Sequence, residues 1–265
     1  YGEVSEAIRS VDMPESDRQT WLDVIRRGRD AEFNLFARRM QAELRQEFKC
    51  RCVEAFCEDS DAGKTIDGLI VSLTSYPARI ATVHHTIRSI LGQSYRPREV
   101  VLWLAESQFP GKERDLPAEL KDLVGHGLVI RWCEDLRSYK KLIPALRQYP
   151  EDCIVTADDD LIYVRYWLEK LWKAHEERPD CVVYHRARRV EMSWSPRPYS
   201  TWKIITKNTK KDDALVFPTT GGGILYPPHV FKDEVFNQDA FMTLTPYADD
   251  VWFWAMVLLS ERKFV

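Results

Sequence analysis

Short apolar runs alternate with helix-like segments between residues 66 and 185, and this alternation limits the possible folds more than any other feature of the chain. The runs with the length of buried strands are IDGLIVSL (66–73), EVVLWLA (99–105), GLVIRWC (127–133), CIVTA (153–157) and CVVYH (181–185). The segments with helical spacing are ATVHHTIRSILGQ (81–93), SYKKLIPALRQY (138–149) and VRYWLEKLWKAHEER (164–178). Apolar strands that alternate with helices predict an α/β domain with a mainly parallel sheet flanked by helices.

The first part of the chain has a different pattern, because residues 1–60 contain no strand-like run. Apolar residues recur there at helical spacing among charges: Trp21, Leu22, Ile25, Phe33, Phe36, Met40 and Leu44. This predicts a helical N-terminal extension that either packs on the main domain or binds a partner or a membrane surface. The mixed sign of its charges favours packing. The polar segment EDSDAGKT (58–65) marks a boundary, which leaves residues 61–265 as the main domain.

Composition excludes several classes of protein. A net charge of −3 over 265 residues argues against a general nucleic-acid binder, which normally carries a basic excess. No apolar stretch is long enough to cross a bilayer, and the first residues lack the apolar core of a secretory signal. The six cysteines, which we expect to be reduced thiols of a cytoplasmic protein, are Cys50, Cys52, Cys57, Cys133, Cys153 and Cys181. The last three lie in apolar runs and are predicted to be buried.

Three consecutive aspartates, Asp158, Asp159 and Asp160, follow the apolar run CIVTA. Ligands of open α/β sheets bind beyond the carboxyl ends of the strands, so these carboxylates lie at a binding edge. If the extended backbone continues, Asp158 and Asp160 point to one side and Asp159 to the other. Two converging carboxylates predict a site for Mn²⁺ or Mg²⁺, with phosphate oxygens completing the coordination. In the alternative interpretation, which is compatible with metal binding, Asp159 or Asp160 caps the following helix.

A second acidic pair, Asp249 and Asp250, precedes the segment VWFWAMVLL (251–259). A helix that is apolar on every side is buried, so its first turn is buried or lines a pocket. Asp249 is predicted to be the N-cap, where a negative charge also suits the helix dipole. Capping then leaves Asp250 without a structural role. It stands beside Trp252 and Trp254, which can form apolar walls or a surface on which a sugar stacks.

The segment TTGGGILYPP (219–228) contains three consecutive glycines, Gly221, Gly222 and Gly223. Glycine permits positive φ and lets a ligand come close to the backbone. The alternative is a bulge or a tight bend before a strand.

Taken in order, these elements resemble the GT-A fold (Rossmann-like) glycosyltransferases, in particular the family-2 type of bacterial surface-polysaccharide gene clusters, such as those for capsule and lipopolysaccharide. The matching segments are VSLTSYPARIATVHHTIRSILGQSYRPREVVLWL (71–104), the DxD-like aspartates, the glycine segment and ADDVWFW (248–254). The resemblance covers about residues 66–262. It implies a metal-dependent, hexosyltransferase-like enzyme that uses a nucleoside-diphosphate sugar, with UDP rather than GDP. The acceptor would be a hydroxyl of a glycan or a lipid-linked sugar, with inversion at the anomeric carbon.

On the donor side, the resemblance implies that the nucleotide contacts four residues of the first loop: Thr74, Ser75, Tyr76 and Arg79. Tyr76 would stack on a pyrimidine and Arg79 would pair with phosphate, although Arg79 can also lie on a solvated helix face. Lys140 or Lys141 would meet the diphosphate, with the other lysine exposed. Asp158 and Asp160 would hold the metal, and Asp158 and Asp159 would border the donor.

On the acceptor side, the resemblance implies sugar contacts by four residues: Gly221, Gly222, Gly223 and Trp252. The acidic pair of the family is usually Glu-Asp, and its second residue is the general base. Asp250 would therefore take the proton from the acceptor hydroxyl, with Asp249 as the alternative base.

Two other functions are compatible with parts of this pattern. A sugar nucleotidyltransferase shares the sheet and the metal carboxylates, but TSYPAR (74–79) lacks the glycines expected in its first loop. A catalytically silent glycan- or nucleotide-binding module would not need both acidic pairs. The sequence therefore favours an enzyme over a silent binding module. We expect a cytoplasmic location, with peripheral association at the inner face of the membrane as an option, and the sequence makes no prediction of the oligomeric state.

Overall fold

Six strands form the central sheet of the computed structural model, which describes residues 63–205 and 214–265. The strands lie in the order β3-β2-β1-β4-β9-β5. Their bounds are β1 Lys64–Thr74, β2 Tyr95–Ala105, β3 Leu128–Cys133, β4 Cys153–Thr156, β5 Val183–Tyr184 and β9 Ile224–Tyr226. The extension predicted for residues 1–60 and the cysteines Cys50, Cys52 and Cys57 lie outside the described residues.

The first four strands of this sheet are parallel, with β1 between β2 and β4 and with β3 beyond β2. The exception is β9, which runs antiparallel to both β4 and β5. Because most of the sheet is parallel and helices flank it, the predicted fold class is confirmed.

A smaller sheet of three strands, β6 (Ala187–Arg189), β7 (Lys203–Ile204) and β8 (Val216–Pro218), lies between β5 and β9 in the chain. Both of its strand pairs are antiparallel, in the order β7-β6-β8. This sheet was not predicted, because its strands are only two or three residues long and carry no clear periodicity.

The described helices are α1 Val83–Leu91, α2 Ala118–Lys121, α3 Ile143–Gln148, α4 Trp167–Glu177, α5 Gln238–Leu244 and α6 Asp249–Leu259. The predicted helix 138–149 is divided into a 3-10 helix, Arg137–Lys141, and α3, which has Pro144 in its first turn. Helix α4 begins three residues later than predicted, because residues 161–166 have no helical backbone. No helix of the described residues has the length and apolarity that a bilayer crossing requires.

The sheet is covered on both faces, as strands that are apolar on both sides require. On one face, Leu69 and Val71 of β1 pack in a cluster with Ile87 of α1 and Leu168 of α4. On the other face, Ile70 packs in a cluster with residues of the 3-10 helix, α3, α5 and α6, including Tyr139, Ile143, Phe241 and Phe253. The alternation along β1 therefore fixes which helices lie on each side. Of the three described cysteines, only Cys153 is fully buried, so the prediction of burial is wrong for Cys133 and Cys181.

Candidate active site

A cleft of about 610 Å³ opens at the carboxyl ends of the parallel strands. Its lining includes the side chains expected to contact the nucleotide: Thr74, Ser75, Tyr76, Arg79, Lys140, Lys141, Asp158 and Asp159. Asp160, the second expected metal ligand, is not part of this lining. Gln108, Asp135, Arg137, Ser138 and Tyr247 complete the polar and aromatic part of its wall. The cleft lies where open α/β sheets bind ligands, because the loops after β1, β2, β3 and β4 converge there.

Asp159 joins the loop after β1 to the turn after β4. Its carboxylate accepts hydrogen bonds from Ser75 Oγ at 2.7 Å and from Arg79 Nη1 at 2.7 Å, and its side chain is almost fully buried. Thr86 Oγ1 donates to the Asp159 carbonyl at 3.1 Å. Ser75 and Arg79 therefore hold the acidic turn in place in this structure, with the Arg79 side chain still partly exposed to the cleft.

The three aspartates do not continue the strand, so the extended backbone on which the predicted alternation of their side chains depended is absent. β4 ends at Thr156 and Asp159 and Asp160 form a turn. Asp160 lies 3.2 Å from Arg79 Nη1, whereas Asp158 lies 3.1 Å from Lys141 Nζ. Neither Asp159 nor Asp160 caps the next helix, which begins only at Trp167 and has no side-chain cap.

Lys141 connects the acidic turn to the second acidic pair. Its Nζ lies 3.1 Å from Asp158 Oδ1, 3.2 Å from Asp249 Oδ2 and 3.2 Å from Thr220 Oγ1. Burial disfavours the charged ammonium, but the carboxylates of Asp249, Asp158 and Asp250 outweigh burial and raise the pKa of Lys141. The backbone of Lys141 is fixed as well, since its carbonyl accepts a 2.6 Å hydrogen bond from Ser72 Oγ of β1.

The expectation that either Lys140 or Lys141 is exposed is wrong, because both are buried, at 2% and 6% exposure. Each ammonium is compensated within the protein, since Lys140 Nζ lies 2.6 Å from Asp135 Oδ1. A buried lysine stays charged only with such a partner.

The second acidic pair lies in the first turn of α6. Asp249 is buried and is the first residue of the helix, so it is not the N-cap that the sequence suggested; Ala248 has that position. Asp250 Oδ1 accepts a 2.6 Å hydrogen bond from Thr220 Oγ1. Burial and the neighbouring Asp249 carboxylate raise the pKa of Asp250 to about 6. A carboxylate with a pKa near neutrality is suited to accept a proton as a general base.

Only one of the three glycines borders the acidic turn. A Cβ added at Gly221 would lie 3.3 Å from Asp158 Oδ2. At Gly222 a Cβ would collide with Arg186, and at Gly223 with the indole of Trp167. Gly223 also has φ = 94°, which strongly favours glycine. The bend before β9 therefore accounts for Gly222 and Gly223, whereas Gly221 lies against the Asp158 carboxylate.

Trp252 belongs to the core and not to the acceptor side. It is 5% exposed, its Nε1 donates to the Val235 carbonyl at 3.1 Å, and its ring packs edge-on against Phe241. A sugar cannot stack on a ring with this burial, so the predicted acceptor contact by Trp252 is wrong.

Three residues of the site were not predicted. Thr220 precedes the glycines and contacts both Lys141 and Asp250. The guanidinium of Arg137 lies 4.2 Å from the ring centroid of Tyr247, and this tyrosine is 81% exposed. The backbone of Arg137 has a positive φ of 55°. Tyr247 could have been considered because it stands two residues before the acidic pair, but nothing in the sequence distinguishes Thr220 or Arg137 from ordinary polar residues.

Within residues 63–205 and 214–265, no group of three or more His, Cys, Asp or Glu side chains is arranged to hold a metal ion. Any cation at the acidic turn would therefore take one or two ligands from the protein and the others from substrate or water.

Two solved structures show low similarity to the chain. The mannosyltransferase PcManGT from Pyrobaculum calidifontis, in complex with GDP-Man and Mn²⁺, is 20% identical over 57% of this chain and 45% of its own, with a TM-score of 0.36. The chain thus spans less than half of that protein. The 2-C-methyl-D-erythritol 4-phosphate cytidylyltransferase (IspD) of Francisella tularensis is 8% identical over 77% of this chain and 89% of its own, with a TM-score of 0.43. Both TM-scores are too low to carry a functional argument.

No curated protein matches the sequence significantly. A family model does match, that of glycosyl transferase family 2, over residues 73–233. The matched region includes the loop after β1, the acidic turn and the glycine segment, and it ends before Asp249. Since it spans more than half of the chain, the protein belongs to glycosyl transferase family 2.

Proposed function

We propose that the protein transfers a sugar from a nucleoside-diphosphate sugar to a hydroxyl of a glycan or lipid-linked acceptor, in a metal-dependent reaction with inversion at the anomeric carbon. The observation that carries this proposal is the position of Lys141 Nζ, 3.1 Å from Asp158 and 3.2 Å from Asp249. The acidic turn beside the donor cleft and the acidic pair of α6 therefore meet at one point. Donor and acceptor need such a common point for direct transfer.

The donor nucleotide would occupy the cleft between the loop after β1 and Tyr247. Tyr76 is 43% exposed at this cleft and offers a ring face on which the base of the carrier, which we propose to be UDP, can stack. The Arg79 guanidinium lies 5.6 Å from the centroid of that ring. Being partly exposed, it can donate to a phosphate without leaving the acidic turn.

The acidic turn fits a divalent cation such as Mn²⁺ or Mg²⁺. The side chains of Asp158 and Asp160 are 32% and 46% exposed, so both carboxylates are accessible to solvent, and Asp158 also lines the cleft. A Mg²⁺-like site commonly uses one or two carboxylates together with substrate phosphates and water. The bound cation would neutralise charge on the leaving diphosphate.

Asp250 is the proposed general base. Asp249 lies against the buried ammonium of Lys141, whereas Asp250 has a pKa raised to about 6 by burial and by Asp249. At neutral pH most of Asp250 is therefore ionised and can accept the proton of the attacking hydroxyl. General-base assistance of this kind contributes about 10²- to 10⁴-fold in rate. With a lipid-linked acceptor, the reaction would belong to surface-polysaccharide synthesis in the cytoplasm, at the inner face of the membrane.

The proposal is tested by nucleotide binding and turnover on the same variants. Calorimetry with UDP and with GDP, each with and without Mn²⁺, is followed by a screen for diphosphate release from UDP- and GDP-sugars. We expect Asp160→Asn to lose metal-dependent binding, and Asp250→Asn to bind UDP normally without turnover. Asp67→Asn, on the exposed start of β1, is the matched control and should behave as wild type.

Each outcome of this test has a distinct meaning. If Asp160→Asn and Asp250→Asn both turn over at the wild-type rate, the assignment of the site is wrong. Nucleotide binding without turnover of any sugar donor would instead indicate a silent binding module. A preference for GDP would overturn only the choice of nucleotide.

A further inference from the structure

We propose that Thr220 is a positioning residue that orients the carboxylate of the base, through a directed pair of hydrogen bonds from Lys141 to Thr220 and from Thr220 to Asp250. This inference rests on the proposed role of Asp250 as the base. The two distances are 3.2 Å from Lys141 Nζ to Thr220 Oγ1 and 2.6 Å from Thr220 Oγ1 to Asp250 Oδ1.

The direction of both hydrogen bonds follows from the donor inventory of the three groups. An ammonium group can only donate, an ionised carboxylate can only accept, and a threonine hydroxyl has a single proton. Thr220 Oγ1 must therefore accept from Lys141 and donate its proton to Asp250. The 2.6 Å length of the second bond is typical of a hydroxyl that donates to a charged oxygen.

This arrangement differentiates the two oxygens of Asp250. Oδ1 receives the Thr220 hydroxyl, so Oδ2 is the oxygen left to accept the proton of the acceptor. A carboxylate held at one oxygen cannot rotate freely, and its reacting lone pair then keeps one direction. Without that bond the base would sample several orientations, of which only some are productive.

The hydroxyl of Thr220 is itself held rigidly. Thr220 is 4% exposed and begins the 3-10 turn Thr220–Gly222, and the Gly223 amide donates to the Thr220 carbonyl at 2.7 Å. On the other side, Lys141 is anchored to β1 through Ser72. Thr220 and the lysine that donates to it are thus fixed by the bend before β9 and by the sheet.

Four charged or titratable groups from the surrounding elements face Asp250. Asp249 of α6 and Asp158 of the acidic turn add negative charge, whereas Lys141 of the 3-10 helix adds positive charge. Burial raises the pKa of the Tyr226 phenol in β9, and the carboxylates of Asp250 and Asp249 are close enough to raise it further. Burial and Asp249 raise the pKa of Asp250, and Lys141 and the Thr220 hydrogen bond lower it. Removing the Thr220 hydroxyl should therefore raise this pKa further.

The experiment compares Thr220→Val, which keeps the shape and removes the hydroxyl, with Thr220→Ser, which keeps the hydroxyl. Thr219→Val is the matched control, because Thr219 is also buried and its Oγ1 has no hydrogen-bond partner in the described part of the chain. The pKa of Asp250 is measured by ¹³C NMR of labelled aspartate carboxylates, with Asp250→Asn for assignment. Turnover is measured with the sugar nucleotide that gives the fastest diphosphate release.

In Thr220→Val we expect a pKa of Asp250 higher by about 1, since a hydrogen bond to a charged group is lost. We expect kcat at neutral pH to fall about tenfold, with the donor KM and UDP affinity unchanged. The acid limb of the rate profile should move to higher pH by the same amount as the pKa. Thr220→Ser should restore all three properties, and Thr219→Val should match wild type.

The inference is overturned if Thr220→Val keeps the wild-type pKa and kcat, or if Thr219→Val shows the same losses, since the effect would then come from packing. Thr220→Ala is measured in parallel, so that a folding defect of the valine variant does not decide the result. An active Asp250→Asn would overturn the proposed base itself. An inactive Asp250→Asn together with a fully active Thr220→Val would overturn the role of Thr220 alone.

Discussion

Replacing Asp250 by asparagine should make the protein more stable while it removes activity. The pKa of this carboxyl is raised from the ordinary value of 3.8 to about 6, by burial first and by Asp249 second. Folding therefore disfavours the ionised form, and the cost is present wherever the unfolded chain would be ionised. Asparagine keeps the shape of the side chain and can still accept the hydrogen bond of Thr220, but it has no charge to bury.

The size of this stabilisation follows from the pKa of Asp250, which is about 2 higher in the folded protein than in the unfolded chain. Each pKa unit corresponds to about 1.4 kcal/mol of unfolding free energy. Above pH 7 the ionised Asp250 costs about 3 kcal/mol of unfolding free energy. The cost falls as the pH drops below about 6, is about half as large near pH 5, and is lost below the unfolded value of 3.8. Asp250→Asn should gain that amount relative to wild type, and its advantage should shrink over the same pH range.

Urea denaturation of both proteins at pH 8, 6 and 5 checks this expectation, with Asp67→Asn again as the control. Equal stabilities at pH 8, or an advantage of Asp250→Asn that does not change between pH 8 and pH 5, would refute the reasoning. The first result would mean that Asp250 is ionised at no cost in the folded state. The second would mean that the gain comes from packing and not from charge.

Three further substitutions have outcomes that the contacts predict. Lys141→Met removes the ammonium between two carboxylates, so the unfolding free energy in urea should fall by about 3–5 kcal/mol; a loss below about 1 kcal/mol would contradict the ion-pair assignment. Gly223→Ala places a Cβ against Trp167 at a residue with φ = 94°, so calorimetry should show a Tm many degrees lower. Gly68→Ala is the control and should change Tm little, because nothing lies within 4 Å of its added Cβ. Ser75→Ala removes one anchor of the acidic turn, which should cost about 1–3 kcal/mol and speed amide hydrogen exchange in residues 157–162; unchanged exchange would contradict the anchoring role.

The central part of the fold could be predicted from the sequence, because its signal is local. The apolar strands of the parallel sheet are continuous runs, and burial on both faces forces that pattern. The direction of β9 could not be predicted, since Ile224–Tyr226 is three residues long and an apolar triplet has no polarity that shows which way it pairs. The small sheet of β6, β7 and β8 was missed because its strands are only two or three residues long and carry no clear periodicity.

The residues of the site could be predicted where a sequence pattern is rarely explained by the fold alone. Consecutive aspartates at the end of a strand have few explanations other than a site, and the structure brings Asp158, Asp249 and Asp250 around one ammonium. Lys141 was misjudged because a lysine in a polar sequence is normally solvated, and its burial depends on carboxylates that are distant in the chain. Trp252 was misjudged because an aromatic residue beside an acidic pair is equally suited to a core.

The reversed direction of β9 has a consequence for how the enzyme can diversify. Because β9 runs against β4 and β5, the chain leaves the sheet after β5 and returns at the same end of the strands, with residues 185–223 between β5 and β9. A segment that starts and ends at one place can lengthen or change sequence at small entropic cost and without shifting its neighbours. The strands that shape the cleft all lie before it. The part of the segment between β6 and β8 can thus change in length and sequence, whereas its end, with Thr220 and Gly223, is tied to the residues around Lys141, Asp250 and Trp167.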